Sequence, residues 1–207
     1  LSGTVSANSM IKINGADRVT FDGRYSGSGT YLTFRNTNTT AADSEATIEF
    51  TNGSTNCELK YCIIENNIDE INDGVVSVST GTNSVTISNN NIRNSTGGTI
   101  GRPANAVYVN SANNEITITN NNIFNFQRNG IRIDDVASGC EITGNNIYQT
   151  DSYDGSSSII AFGIYLEGGD NHTVTNNYIG GSESTCGGDA WTIDNTVDYR
   201  FVGIHIN

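Results

Sequence analysis

ITITNNNIFNF, residues 116–126, alternates apolar and polar side chains for four residues, meets three asparagines, and then resumes with another apolar position. Alternation of period two marks a half-buried strand. Asparagine is poor in strands and in helix interiors, so three in a row mark a corner. The same 11-residue frame occurs five times: CELKYCIIENN from residue 57, VTISNNNIRNS from 85, ITITNNNIFNF from 116, CEITGNNIYQT from 140 and HTVTNNYIGGS from 172. The frames start 28, 31, 24 and 32 residues apart. Before each lies another short alternating strand, TIEF, VVSV, AVYV, GIRI and GIYL. Its apolar residue (Ile48, Val76, Val107, Ile131 or Ile164) precedes the frame by 9, 9, 9, 9 and 8 residues. A final GIHI around Ile204 opens another turn, and IKI (11–13) with VTF (19–21) form an earlier, less regular one.

Each unit therefore has a constant part, two period-2 strands and a third apolar position, followed by a part of variable length. Such strands are too short to be stable alone. Stacked rung on rung about 4.8 Å apart they make a parallel β-helix, with the variable part leaving one corner as a loop. The expected fold is all-β, a right-handed single-stranded parallel β-helix of about six coils. Residues 1–45 form an irregular first coil and 46–207 the regular ones, as one domain or a segment of a longer solenoid. The inward ladders are Ile48/Phe50, Val76/Val78, Val107/Val109, Ile131/Ile133 and Ile164/Leu166 on the first strand. Leu59, Ile87, Ile118, Ile142 and Val174 follow on the second, and Ile64, Ile92, Ile123, Ile147 and Ile179 on the third. A 3.6-residue period is absent.

The sixth frame position is Asn90, Asn121, Asn145 and Asn177. A sharp corner there needs a residue that tolerates left-handed backbone and satisfies polar groups locally. Amides stacked on successive coils also bond one another, as asparagine ladders do. Asn89, Asn91, Asn120, Asn122 and Asn146 then read as ordinary turn residues.

The pattern GIxI followed by xIT(x)NxI resembles the PbH1-type repeat of right-handed parallel β-helix proteins, a group that contains pectate lyases, polygalacturonases and many surface adhesins. The resemblance covers most of residues 46–207. VTFDGR (19–24) and NNYIGGSESTCGGDAW (176–191) are also similar to stretches of large secreted bacterial surface proteins with a C-terminal sorting domain. The resemblance implies a secreted or cell-surface bacterial location. For the group's enzymes acting on acidic polysaccharides, it also implies a cleft between the first-strand face and the long loops. The repeat specifies fold and is nearly silent on function.

The net charge of −12 argues against nucleic-acid phosphates, since no excess of Lys and Arg exists to displace counterions. No run of about 20 apolar residues spans a membrane. The chain opens and stops in mid-pattern, which reads as an excised or mature segment. Cys57, Cys62, Cys140 and Cys186 form no CxxC pair and no disulfide framework, so buried small hydrophobes are the expected role.

Outward first-strand residues make two surface rows: Glu49, Ser77, Tyr108, Arg132, Tyr165, His205, and Thr51, Ser79, Asn110, Asp134, Glu167, Asn207. The longest loops, roughly 148–163 and 180–203, emerge beside them. Asp134 and Glu167 share a row on adjacent coils, which places their carboxyls about 5 Å apart, a retaining-glycosidase separation. Crowding is expected to raise the pKa of one of them. Tyr108, Tyr165 and Trp191 can stack on sugar faces, and Arg132 can hold a carboxylate, with His205 in the same row. No cofactor is called for by a motif. Asp151, Asp154, Asp170 and Asp189, in Gly-rich loops, are the candidates for calcium, without a GGxGxDx array. The leading expectation is a non-enzymatic scaffold, adhesive, glycan-contacting or filament-forming. Its partners would be a surface glycan or polysaccharide and copies of itself end to end, with neither nucleic acid nor membrane insertion. The alternative is a polysaccharide lyase or glycoside hydrolase working through Asp134 and Glu167.

Overall fold

A computed structural model describes residues 1–38, 45–95, 101–110, 115–152, 158–193 and 198–207. Twenty short strands among them form three sheets, and every pairing within the sheets is parallel. The first sheet stacks Ile11–Asn14, Ile48–Thr51, Val76–Val78, Asn105–Val109, Asn129–Ile133, Ile159–Leu166 and Tyr199–Ile206 in chain order. The second sheet stacks Thr20–Asp22, Glu58–Lys60, Thr86–Ser88, Thr117–Thr119, Glu141–Thr143 and Thr173–Thr175. The third holds seven strands, from Ser2–Gly3 and Leu32–Asn36 through Asn122–Phe124 to Tyr178–Ile179. Each sheet collects one strand per turn, which is the parallel β-helix expected from the frame. Strands from residues 1–38 pair into the same three sheets, Ile13 opposite Phe50 and Phe21 opposite Leu59.

The inward ladders coincide with the register. Ile48, Val76, Val107, Ile131, Ile164 and Ile204 are successive partners, as are Leu59, Ile87, Ile118, Ile142 and Val174. Their side chains make one continuous core, fully buried from Ile48 to Ile164. A buried aliphatic side chain of this size contributes roughly 1.5–3 kcal/mol. A coil with three or more of them is stable only against its neighbours, because each ladder contact lies in the next turn.

Left-handed backbone falls one residue before the sixth position. Tyr61, Asn89, Asn120, Gly144 and Asn176 have φ between 54° and 68°. The turn and the ladder are thus separate jobs done by consecutive residues. Asn91, Asn122 and Asn146 are not turn residues. They open the third-sheet strands and form an outward ladder, Asn122 Nδ2 donating to Asn91 Oδ1 at 3.0 Å and Asn146 Nδ2 to Asn122 Oδ1 at 3.0 Å. Glycine also has demanding places in the strands, Gly163 among them, where a Cβ would come within 2.6 Å of the Gly203 carbonyl oxygen. A Cβ at Gly130 would come within 2.6 Å of the Gly163 carbonyl oxygen and 2.8 Å of an Ile147 methyl, so the GIRI corner excludes any larger residue.

The sixth-position asparagines bond in a chain. Asn121 Oδ1 accepts the Asn90 backbone N–H at 3.0 Å and its Nδ2 at 3.1 Å. Asn121 Nδ2 donates to Ile87 O at 2.8 Å and to Asn145 Oδ1 at 3.0 Å. Asn145 repeats the pattern with Ile118 O and Asn177 Oδ1, and Asn90 Oδ1 closes on the Cys62 N–H. Replacing Asn121 by Ala strands the buried Asn90 N–H and takes one donor from the Ile87 carbonyl. Each buried orphan costs about 1–3 kcal/mol. Urea unfolding is expected to show a loss of about 3 kcal/mol for Asn121→Ala, against less than about 1 kcal/mol for the half-buried Asn122→Ala. Equal losses would mean that the buried ladder has no special role.

Candidate functional site

The outward face of the first sheet carries two straight rows because its strands pair without offset. Ser77, Tyr108, Arg132, Tyr165 and His205 are consecutive register partners. Tyr108 is only 3% exposed, and its hydroxyl donates to Asp134 Oδ2 at 3.0 Å. The Arg132 guanidinium lies over the Tyr108 ring, 4.8 Å from its centroid. Its Nε donates to Glu167 Oε1 at 2.6 Å and its Nη1 to the Ile71 carbonyl at 2.7 Å. Tyr108, Arg132, Asp134 and Glu167 are thus one connected group. Its two carboxylates are each held by a protein donor.

The expected rise from crowding of Asp134 and Glu167 takes another form. Burial pushes the Asp134 carboxyl up, but hydrogen bonds from the Asp135 side chain and backbone and from Tyr108, with the Arg132 charge, outweigh it and hold it below the usual range. The group raised in exchange is Asp135, chiefly through its side-chain hydrogen bond with Asp134 and then that carboxylate's charge. The coupled acids are sequence neighbours, and Arg132 stands on Glu167 instead.

Tyr165 and His205 continue the row as an aromatic cluster. Phe162 stacks on Tyr165 at 4.7 Å between centroids, and His205 meets Tyr165 edge-on at 5.2 Å. Asn207 ties the two, its Oδ1 accepting from His205 Nε2 at 2.8 Å and its Nδ2 donating to the Tyr165 hydroxyl at 3.2 Å. Trp191 does not join this face. Its Nε1–H donates to the Gly181 carbonyl, its ring meets Phe201 at 3.9 Å and it lies edge-on to Phe126 at 6.1 Å. It walls a cavity of about 370 Å³ where the third sheet turns into the first.

Of the calcium candidates, Asp151 and Asp189 border one depression of about 190 Å³, and Asp170 does not line it. Asp151 borders the Trp191 cavity, while the Asp189 N–H bonds Ser182 Oγ at 2.9 Å on the same long loop. The Asp170 N–H faces Ser138 Oγ, and Asp154 lies outside the described residues. Among the described residues no three of His, Cys, Asp and Glu come together as metal ligands would.

Sequence reasoning missed Asp73. It sits in the variable loop before Val76–Val78, so no frame position marks it. It lines a polar depression of about 210 Å³ with Glu49, Ser77, Ser79 and Asn110. Loss of hydration pushes its carboxyl up to about 6, against donors from Ser77, Gly74 and Glu45 that pull it down, with the Glu49 charge adding to the rise. The signal that could have found it is Asp73-Gly74 immediately before a strand, a turn pair that brings a carboxylate onto Ser77. The folded state then holds this proton more tightly than the unfolded chain does, whose carboxyl keeps the ordinary 3.8. The associated stability is complete below about pH 4 and is lost as the pH rises through about 6. Urea unfolding at pH 4 and pH 7.5 is expected to show a drop about 2 kcal/mol larger for the parent chain than for Asp73→Asn. Equal drops would show that Asp73 ionises normally.

No curated protein and no solved structure matches the sequence. A family model does match, over residues 4–206, and its description is periplasmic copper-binding protein (NosD). Among the described residues no three potential His, Cys, Asp or Glu ligands gather as a copper centre would need, and His172, Cys62 and Cys140 are engaged or buried. Copper favours imidazole and thiolate or thioether donors. His172 Nδ1 accepts the Cys140 N–H at 3.3 Å and its Nε2 faces the Gly168 carbonyl at 3.0 Å, so both ring nitrogens are engaged. Burial pushes the Cys62 and Cys140 thiols up to about 11, which keeps them protonated in the core. What agrees with the family is the stacked parallel fold and an extracytoplasmic setting, as expected of a secreted or surface bacterial protein. No helix among the described residues is long and apolar enough to cross a membrane. With nearly the whole chain matched, this protein belongs to the periplasmic NosD family of parallel β-helix proteins.

Proposed function

We propose that this extracytoplasmic β-helix scaffold holds a glycan on the outward face of its first sheet without cleaving it. The observation that carries the reading is the pinned arrangement of that face. Tyr108 bonds Asp134, Arg132 bonds Glu167 and lies over Tyr108, and Tyr165 stacks on Phe162. Side chains already fixed lose little freedom when a ligand arrives, which favours binding. The same pinning opposes catalysis by Asp134 and Glu167. A glycosidase acid must carry a proton, and Asp134 is held ionised while Glu167 spends an oxygen on Arg132.

One arrangement favours the cleaving alternative: Asp134 and Asp135 stand side by side, the Asp135 N–H donating to Asp134 Oδ1 at 2.7 Å, and the Asp134 carboxylate pushes the Asp135 carboxyl up. In that reading Asp135, not Glu167, is the acid. The two readings separate on a polysaccharide panel assayed for both retention and product release. Binding that falls about tenfold or more in Arg132→Ala/Tyr165→Ala, with no release of shortened chains, is expected. Release that disappears in Asp134→Asn would establish the enzyme, and retention unaffected by the double substitution would remove the face from consideration.

A further inference from the structure

We propose that the cavity between the third and first sheets is a second glycan subsite that takes one neutral pyranose unit. The proposal rests on the glycan reading above but concerns different residues. The cavity lies where Gly181 follows the last third-sheet strand and where Tyr199 and Phe201 begin the last first-sheet strand. Its volume, about 370 Å³, falls in the range of small-ligand pockets.

One wall is aromatic and fixed. Trp191 is tied by its Nε1–H to the Gly181 carbonyl, supported edge-on by Phe126 and packed on Phe201. The Tyr199 hydroxyl is anchored to the Gln127 carbonyl at 3.2 Å. The other side is polar and equally built. Arg102, 3% exposed, donates from Nη1 to Gln149 Oε1 at 2.5 Å and from Nη2 to the Asp151 and Ser152 carbonyls at 2.8 and 3.0 Å. Gln149 is itself held by its Nε2 donating to the Phe126 carbonyl at 3.0 Å. Asp151 also borders the cavity, as an exposed residue whose Oδ2 accepts from Thr150 Oγ1 at 3.1 Å.

This pairing selects a ligand class. A pyranose has an apolar C–H face and a rim of hydroxyls. The face suits an aromatic wall, and the rim suits a carboxylate that accepts two O–H donors. A wholly apolar ligand would take water from the Asp151 carboxylate and leave it Thr150 as its donor, at a desolvation cost. An acidic sugar would meet that carboxylate and a chain of net charge −12, while the Arg102 guanidinium is already engaged by Gln149 and the Asp151 and Ser152 carbonyls. A neutral sugar meets neither penalty.

Trp191 is the sole tryptophan of the chain, so its emission reports this cavity and nothing on the first-sheet face. The test titrates the whole chain with cellohexaose, mannohexaose and hexagalacturonate, following tryptophan fluorescence and calorimetry together. A saturable emission change with a neutral hexaose, weakened about tenfold in Asp151→Ala and absent with hexagalacturonate, is expected. Trp191→Phe keeps a flat wall and is expected to retain calorimetric binding within about threefold, while Trp191→Ala loses it about tenfold. Unchanged thermal unfolding of Asp151→Ala guards against misfolding. Calorimetric binding with unmoved emission, lost in Arg132→Ala, would overturn the subsite and leave the first-sheet reading standing. An equal response to hexagalacturonate would overturn the neutral-sugar assignment. Absence of calorimetric binding by both neutral hexaoses would overturn the subsite, while the first-sheet reading stands or falls on the polysaccharide panel.

Discussion

The buried amide chain through Asn90, Asn121, Asn145 and Asn177 is the constraint on which the other features depend. A parallel coil has no tight hairpin to set its register, and its short strands have little individual stability. Each asparagine solves this at one corner. Its Oδ1 takes the N–H of the preceding coil's asparagine, and its Nδ2 gives to that coil's backbone and to the next asparagine. A slip of one residue would break these bonds and turn the Ile118 and Ile123 ladders outward together. Polar ladder and aliphatic ladder therefore enforce the same register.

With that corner locked and the one between the first and second sheets of nearly constant length, the corner after the third strand is free to vary. The frames start 24 to 32 residues apart, and the difference is taken up after the third strand, where the loops leave. The locked register aligns outward side chains into rows, so Tyr108 meets Arg132 and Arg132 meets Tyr165 without design beyond the repeat. The free corner supplies Arg102, Asp151 and Trp191, residues that belong to no repeat position. A family shared over 4–206 fixes the first part, the scaffold, and says little about the second.

This division explains what could be read without coordinates. Ile87, Ile118 and Ile142 were legible as neighbours because period-2 alternation and constant frame spacing both identify them. The rows on the first sheet followed from the same spacing. The left-handed turn was misplaced by one residue, because asparagine suits both a turn and a ladder, and NNN does not say which residue does which. Asp73 left only the weak mark of an Asp-Gly pair before a strand, since its role depends on a loop bringing a carboxylate to Ser77 across four residues of chain. Trp191 was assigned to the wrong side. Its indole packs on Phe126 and Phe201, residues 65 positions before and 10 after it, and no local pattern announces that contact. The partner of Asp134 was likewise missed, because Arg132 occupies Glu167 and leaves Asp134 to its neighbour Asp135.

The central claim is that the asparagine corner holds the coils in register. Native-state hydrogen exchange of the backbone amides at Asn90, Asn121 and Asn145 tests it most directly, because each donates to the next coil's side chain and not to a strand ladder. If the corner carries the register, these three amides exchange only through global unfolding, with the protection of the core amides at Ile118 and Ile131. Exchange as fast as that of the exposed Asn52–Gly53 turn would contradict it, and would mean that the aliphatic ladders alone set the stacking.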